Sequence, residues 1–477
     1  MFNSNTSYTP PVQRALVLQG GGALGAYQVG AFKALYEKLE EEKDNNDNDD
    51  DQPLFDIIAG TSIGAINAAI LVSYFLENKK WKGSAKRLED FWKHISTPTP
   101  QISEALKQWK VEKEKENPLV ASEEAARRYY SVKEFLKSGV ENVFRPIPPP
   151  KDDRKFCDSQ SKWLAYNNEP LRKSIEMFAK FPIATSFEKG EPRLLVVSTD
   201  AAEGTTVTFD SYEKEQGKRE TEYGDPLLEK SIVIKYNEGI GIKHLMASSC
   251  GPEFYAYEDI DGRKFWDGGI LSNTPVKELF DAHKRFWEMK IGAKNLENSF
   301  KETKRSKDIT LDNKNNTNNN KQDQMLRVPD LELYIVNLFN PKETLIETRG
   351  VDIVPLDLDG VKDRNLDISL SDGYDAKADG LLSDYLNLIE RLISLGNDDK
   401  SIKEKINEIL EEYTPRRSYT EGYKKNIDIL KNTFRIVKVL QINRNDDADT
   451  VSGKPLDFTS ETISKLIEKG YQDTLGK

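Results

Sequence analysis

"FDIIAGTSIGAINAAI", residues 55–70, decides how this chain is read. An apolar run of strand character meets Gly60-Thr61-Ser62-Ile63-Gly64, and an apolar helix-forming run follows at once. G-x-S-x-G in that setting is the pattern of a nucleophile elbow. A sharp strand-to-helix turn lifts Ser62 above a sheet, and Gly60 and Gly64 remove Cβ atoms that would clash. The start of the following helix lowers the cost of negative charge beside the serine. With Gly and Ser each near 7%, the bare pattern arises by chance about once in six chains of this length. The weight therefore lies in the strand and helix on either side of it.

Upstream, "ALVLQGGGALGAYQVG" (15–30) repeats the shape of a strand, a glycine turn and a helix. Gly20, Gly21, Gly22 and Gly25 fit G-x-G-x-x-G, so backbone N–H groups at a helix start face an anion. A dinucleotide is one such anion. That reading requires an acidic residue at the end of the next strand, about 20 residues on. Here the distance falls in a helix tail and an acidic insert, and the next strand ends in the Gly60-Thr61-Ser62 turn. A nucleotide-binding oxidoreductase is thereby weakened as an alternative but stays open on the residues alone.

A serine needs a base. The three histidines are His94, His244 and His283, each in a helix-like stretch. The order Ser62, an Asp, then His283 is compatible with a triad. A second candidate lies in "YAYEDIDGRKFWDGGILSNTP" (255–275). Asp261-Gly262 between two short β-like runs is a hairpin turn. The second run, "RKFW", feeds Asp267-Gly268-Gly269, which places a carboxylate at a strand end in a tight turn. In isolation that tripeptide reads as a turn aspartate bonding its own backbone.

With 477 residues, 37% hydrophobic and 31% charged, the chain reads as globular and too long for one ordinary core. A net charge of −11 argues against a dedicated nucleic-acid binder. The two cysteines, Cys157 and Cys250, make no disulfide framework, which fits a reducing, cytoplasmic setting. Two uncharged windows, Ala15 to Phe32 and Ile57 to Leu76, imitate a signal peptide and a membrane span. They also carry Gln19, Gln28, Thr61, Ser62, Asn67 and Ser73, so buried α/β core is the better reading.

Apolar strands at 14–19, 54–59, 193–201 and 331–339 alternate with helices over Ala23 to Glu42 and Ile63 to Leu76. This implies an α/β fold, a mostly parallel central sheet flanked by helices. Residues 1–13 read as a flexible leader and 14–285 as the main domain, interrupted by an acidic disordered insert at 43–52. A variable region, 286–330, carries the Asn-rich run 312–324. Residues 331–477 form a C-terminal extension with helices at 375–395 and 401–412, the strand 434–442 and a last helix from Thr459. Neither insert can offset its ordering entropy by burying apolar area. The acidic one also lacks the Gly and terminal Glu of a calcium loop. The stretch 145–153 is proline-rich and extended, and 101–150, with Trp109, Tyr129, Tyr130 and Phe135, reads either as a cap over the site or as a helical layer.

Taken together, the three motifs resemble the patatin-like phospholipases, which carry a glycine-rich oxyanion loop, a G-x-S-x-G nucleophile and a D-G-[AG] base in this order. The likeness extends through residues 14 to about 285, includes "KFWDGGILSNTPV" (264–276), and touches "DFTSETISKLIEKGYQD" (457–473). The resemblance implies a three-layer α/β/α fold and a serine lipid acyl hydrolase. Ser62 is then the nucleophile and Asp267 the proton acceptor. Gly20, Gly21, Gly22 and Gly25 form the oxyanion hole, its N–H donors around Gly21 and Gly22, with Gly60 and Gly64 in the elbow and Gly268 and Gly269 in the base motif. It implies no metal or organic cofactor, and a lipid substrate met at a membrane or micelle surface. A non-catalytic lipid-binding protein is the alternative within the same resemblance.

Overall fold

The computed structural model describes residues 12–44, 54–99, 122–148, 165–214, 217–224, 231–252, 254–291, 329–340, 358–371, 434, 436–447 and 449–477. The Asn-rich run, the helices expected at 375–395 and 401–412, Trp109, residues 149–153 and the acidic insert beyond Asp44 lie outside them. The chain divides into two compact units. One comprises Met1–Ala15, Val276–Leu333 and Asp375–Val439; the other comprises Leu16–Pro275, Tyr334–Tyr374 and Leu440–Lys477.

In chain order the elements that matter are β1 (Val12–Leu18), α1 (Ala26–Asp44), β2 (Ile57–Thr61), α2 (Ile63–Asn78), α3 (Ser84–Ile95), α4 (Glu123–Ser138), α5 (Glu169–Phe178), β3 (Arg193–Asp200) and β4 (Thr205–Asp210). They continue with α6 (Ile242–Ser248), β5 (Glu258–Ile260), β6 (Arg263–Asp267), α7 (Val276–Ile291), β7 (Asp330–Asn337), α8 (Leu358–Leu370), β8 (Ile436–Asn443) and α9 (Ser460–Leu475). The central sheet has the order β8-β7-β1-β2-β3-β6-β5, with β4 also pairing to β3. The fold is α/β, with a mostly parallel central sheet flanked by helices. β2 and β3 pair in parallel, whereas β4, β6 and β5 form the antiparallel flank. The Asp261-Gly262 turn joins β5 to β6 with both residues at positive φ, 52° and 79°, as a two-residue hairpin of this hand requires.

Burial explains why these runs fold as they do. All eight residues of β3 and all five of β2 are buried, so their continuous apolar character suits strands covered on both faces. The second uncharged window splits into β2, the Ser62 turn and α2, too short in each part to cross a bilayer. Among the described residues no helix is long and apolar enough to do so. The polar residues of the two windows tie elements together. Asn67 donates to Gly25 O (3.1 Å) and Gln28 Oε1 (2.8 Å) and accepts from Trp92 Nε1 (3.0 Å). Gln28 donates to Gln19 O (2.7 Å), and Ser73 accepts from Lys180 N (2.8 Å). Each of these side chains is hydrogen-bonded, which offsets its desolvation cost.

Two boundaries differ from expectation. Val12 and Gln13, read as leader, belong to β1, and Gln13 is only 3% exposed. Strand ladders satisfy backbone groups whatever the side chain, so a polar residue is drawn in beside the apolar run. The helix read from Ala23 opens as a 3₁₀ turn, Gly22–Gly25, before α1 begins at Ala26 and runs on to Asp44, past the expected start of the acidic insert. At the far end of the chain, Thr459 caps α9 with its side chain accepting from Thr462 N. α9 lies so close to α1 that a Cβ on Gly30 would collide with the Ile467 carbonyl, and one on Gly470 with the Tyr27 carbonyl.

Candidate active site

β3 is the strand that assembles the site. Its Val197 pairs with Thr61 on one side, and its Ser198 pairs with Asp267 on the other. The residue following Thr61 and the last residue of β6 therefore emerge together at one end of the sheet. Ser62 sits there at φ 55°, ψ −125°, a conformation that costs a non-glycine residue on the order of 1–3 kcal/mol and persists only when its surroundings fix it. They do so here. Ala65 N and Ile66 N donate to Ser62 O at 3.0 and 3.2 Å, opening α2. Ser62 N donates to Ser248 Oγ (2.9 Å), which in turn donates to Val197 O (2.5 Å). The elbow glycines permit this approach, since a Cβ on Gly60 would strike the Gly64 backbone and one on Gly64 the Leu18 carbonyl.

The Ser62 hydroxyl donates to Asp267 Oδ2 at 2.7 Å, with no histidine between them. The other carboxylate oxygen, Oδ1, accepts from Gly269 N at 2.7 Å. Backbone contacts lock the residue from both sides: Asp267 N donates to Cys250 O (2.9 Å), and Asp267 O accepts from Thr199 Oγ1 (3.0 Å). A Cβ on Gly268 would strike the Val197 carbonyl, so this turn presses against β3. Burial pushes the Asp267 carboxyl up to about 6, against the opposing pull of the Ser62 and Gly269 hydrogen bonds. A carboxylate raised in this way is a stronger proton acceptor than an exposed aspartate.

The glycine loop faces the same serine, and its four sequence-predicted glycines divide by what they do. Gly20 N donates to Asn273 O (3.1 Å), and a Cβ on Gly20 would lie 3.0 Å from Ser62 Cβ. Gly25 lies beneath Ile63 and Trp92, where a Cβ would come within 2.7 and 3.0 Å of their side chains. Among the described residues the Gly21 and Gly22 N–H groups make no hydrogen bond. Gly22 holds φ +56°, and a Cβ there would collide with the Pro455 carbonyl.

None of the three histidines takes part in the Ser62–Asp267 contact. His94 Nε2 lies 3.1 Å from Ser174 Oγ. His244 packs edge-on against Phe209 and tilted against Tyr236, accepts from Gly241 N (2.8 Å), and is pushed down to about 4 by burial. His283 belongs to the other unit, where its ring meets Phe434 edge-on at 4.6 Å.

The residues that set the loop were not singled out by the sequence reading. Asn273 Nδ2 donates to Gly20 O (3.2 Å) and Leu370 O (2.7 Å). Gln19 Nε2 donates to Thr274 Oγ1 (2.7 Å) and Leu370 O (3.1 Å), and its Oε1 accepts from Leu338 N (2.5 Å) and Phe339 N (2.9 Å). Adjacency was the available signal, because Gln19 directly precedes the glycines and Asn273 follows the base motif by four residues.

The model of the patatin-like phospholipase family matches residues 16–280, more than half of the chain. The chain belongs to this family. The match embraces all three motifs and stops before β7, α8, β8 and α9. Among solved structures, the crystal structure of VipD from Legionella pneumophila is similar at 14% identity. That alignment covers 98% of this chain and 67% of that one with a TM-score of 0.31, too loose to place any residue. No curated protein matches the chain.

Proposed function

We propose that this patatin-like phospholipase is a serine lipid acyl hydrolase cleaving carboxylic esters of phospholipids or related glycerolipids through Ser62 and Asp267. The observation that carries this reading is the 2.7 Å hydrogen bond from Ser62 Oγ, on a strained elbow, to a carboxylate raised by burial. Ser62 Oγ attacks the ester carbonyl while its proton passes to Asp267 Oδ2. The tetrahedral oxyanion is held by the N–H groups of Gly21 and Gly22, for which Gly20 and Gly25 serve as framework. Collapse expels the alcohol, which takes the proton from Asp267 and leaves an acyl-Ser62. Water, deprotonated by the same carboxylate, then attacks the acyl carbonyl, and the proton passes from Asp267 to Ser62 Oγ as the fatty acid leaves. Ile270 and Leu271, 45% and 47% exposed directly after the base motif, suit contact with acyl chains. The protein is accordingly read as cytoplasmic and peripheral to a lipid surface, with no nucleic-acid partner, organic cofactor or catalytic metal.

Labelling with a fluorophosphonate tests the reading. The wild type should label and Ser62→Ala should not; a lipid panel then identifies the ester cleaved. His94→Ala, His244→Ala and His283→Ala should each keep turnover within about tenfold, whereas loss of a true triad histidine costs about 10⁴-fold. A folded histidine variant that resists labelling would sink the dyad. The pH profile gives a further check. Asp267 must be ionised to accept a proton, so kcat/KM should rise about tenfold per pH unit up to about 6 and level off above it. A limb near pH 4 would contradict the buried carboxylate.

A further inference from the structure

Behind the glycine loop lies a buried ionic cluster. Lys454, 6% exposed, directs its ammonium at three carboxylates: Asp363 Oδ1 at 3.0 Å, Asp367 Oδ1 at 2.7 Å and Asp446 Oδ2 at 2.7 Å. Carboxylate oxygens of the three aspartates lie within 4.8 Å of one another, and the lysine supplies the cation among them. The ammonium hydrogen-bonds Asp367 Oδ1 and Asp446 Oδ2, while Asp363 Oδ1 lies at ion-pair distance without a hydrogen bond. Arg444 adds a second positive charge, 2.6 Å from Asp446 Oδ1, and donates through Nε to Leu338 O at 2.8 Å.

Each member of the cluster leads back to the loop. Asp363 and Asp367 belong to α8, whose Leu370 carbonyl accepts from both Gln19 Nε2 and Asn273 Nδ2, the side chains flanking Gly20. α8 is fastened a second time where Asp359 accepts from Ser452 N (3.0 Å) and Ser452 Oγ (2.5 Å). Lys454 itself precedes Pro455, whose carbonyl lies against Gly22. Leu338 and Phe339, which bond Gln19 Oε1, also form the wall against Gly21, where a Cβ would lie 2.8 Å from Leu338 Cδ1. The loop backbone is thus held by α8, by Pro455 and by residues 338–339. The Lys454 cluster fastens the first two directly and reaches 338–339 through Arg444.

We propose that Lys454 is a positioning residue for the glycine loop: with Asp363, Asp367 and Asp446 it fixes α8 and Pro455, which hold the loop that packs against Ser62 at Gly20 and carries the Gly21 and Gly22 N–H groups. The proposal rests on Ser62 being the nucleophile. It assigns an active-site task to three segments, 358–370, 444–446 and 454–455, that lie beyond the residues matched by the family model. Displacement of a catalytic dipole by about 1 Å costs on the order of 10²-fold in rate, so a loosened loop should slow the chemical step and spare substrate binding.

The test compares the wild type with Ser62→Ala, Lys454→Met, Lys454→Arg and Arg193→Met, using a p-nitrophenyl ester and deuterium uptake of the peptide covering the glycine loop. Lys454→Met should lower kcat by about 10–100-fold with KM changed less than about twofold, and should speed uptake at the loop. Lys454→Arg should recover part of both. Arg193→Met removes another buried cation, one paired with Asp210 at the opposite end of β3. It should lower Tm and leave kcat and loop uptake unchanged. Wild-type kcat and uptake in folded Lys454→Met, or equal effects from Arg193→Met, would overturn the proposal. If Lys454→Met does not fold, the Asp363→Asn/Asp367→Asn double variant carries the same expectations and the same refutation. Persistent turnover in Ser62→Ala would overturn the assignment of the nucleophile instead, and the uptake measurement would still decide whether Lys454 holds the loop.

Discussion

Ser62→Ala and Asp267→Asn should each reduce ester turnover by about 10⁴-fold or more, and the double variant should be no slower than the worse single one. Residues that act as one unit lose their shared contribution at the first removal. Here the unit is a single 2.7 Å hydrogen bond, the path of the proposed proton transfer. The two variants should differ in stability. Burial raises the folded-state pKa of Asp267 to about 6 from an ordinary 3.8. The folded protein therefore binds more protons than the unfolded chain between those values, and stability falls as pH rises from about 4 to about 6. Above that window the charged carboxylate remains a burden that asparagine does not impose. Asp267→Asn should thus melt at a higher temperature than the wild type at pH 7, by a few degrees, and lose that advantage at pH 4. Kinetics and melting curves at the two pH values check both halves. Additive losses in the double variant would break the dyad, and equal melting at pH 7 would remove the buried charge from the account.

The candidate site was legible in the sequence because its motifs are local. Ser62, Asp267 and the three glycine groups lie in short motifs whose strand, turn and helix contexts can be read residue by residue. The same holds for β1, β2 and β3, whose continuous apolar runs admit few alternatives. What stayed hidden is non-local. Ser248 accepts from Ser62 N across 186 positions, and Gln19 bonds Leu370 across 351. Gln19 is marked only by its place beside the glycines, and nothing in a window of ten residues distinguishes Ser248 from an exposed serine. Lys454 is the extreme case. In the sequence it is one of 69 basic residues, and only folding brings α8 and residue 446 around it. The glycine loop reads in the sequence as one motif with its donors around Gly21 and Gly22, and the backbone divides its members: a hydrogen bond engages the Gly20 N–H and close packing accounts for Gly25.

That division leads to the second large expected effect. Gly22 and Gly204 hold nearly the same φ, +56° and +61°. Alanine at either position meets the same intrinsic resistance of an L-residue to left-handed φ, about 1–2 kcal/mol. The surroundings differ. A Cβ on Gly204 would have nothing within 4 Å, whereas one on Gly22 would collide with the Pro455 carbonyl. Backbone cannot rotate aside as a side chain can, and Pro455 follows the immobilised Lys454. In Gly22→Ala the loop itself must therefore move, carrying its N–H groups away from the oxyanion. Losing one such donor costs about 10²–10³-fold in rate, and Gly22→Ala should fall at least that far in kcat while still binding substrate. Gly204→Ala should lose a comparable part of its stability to backbone strain and turn over ester at the wild-type rate. Measuring kcat, KM and Tm for the pair separates strain from loop displacement. Full activity in Gly22→Ala would mean that the oxyanion is held elsewhere, and an equal loss in Gly204→Ala would mean that general destabilisation, not the loop, sets the rate.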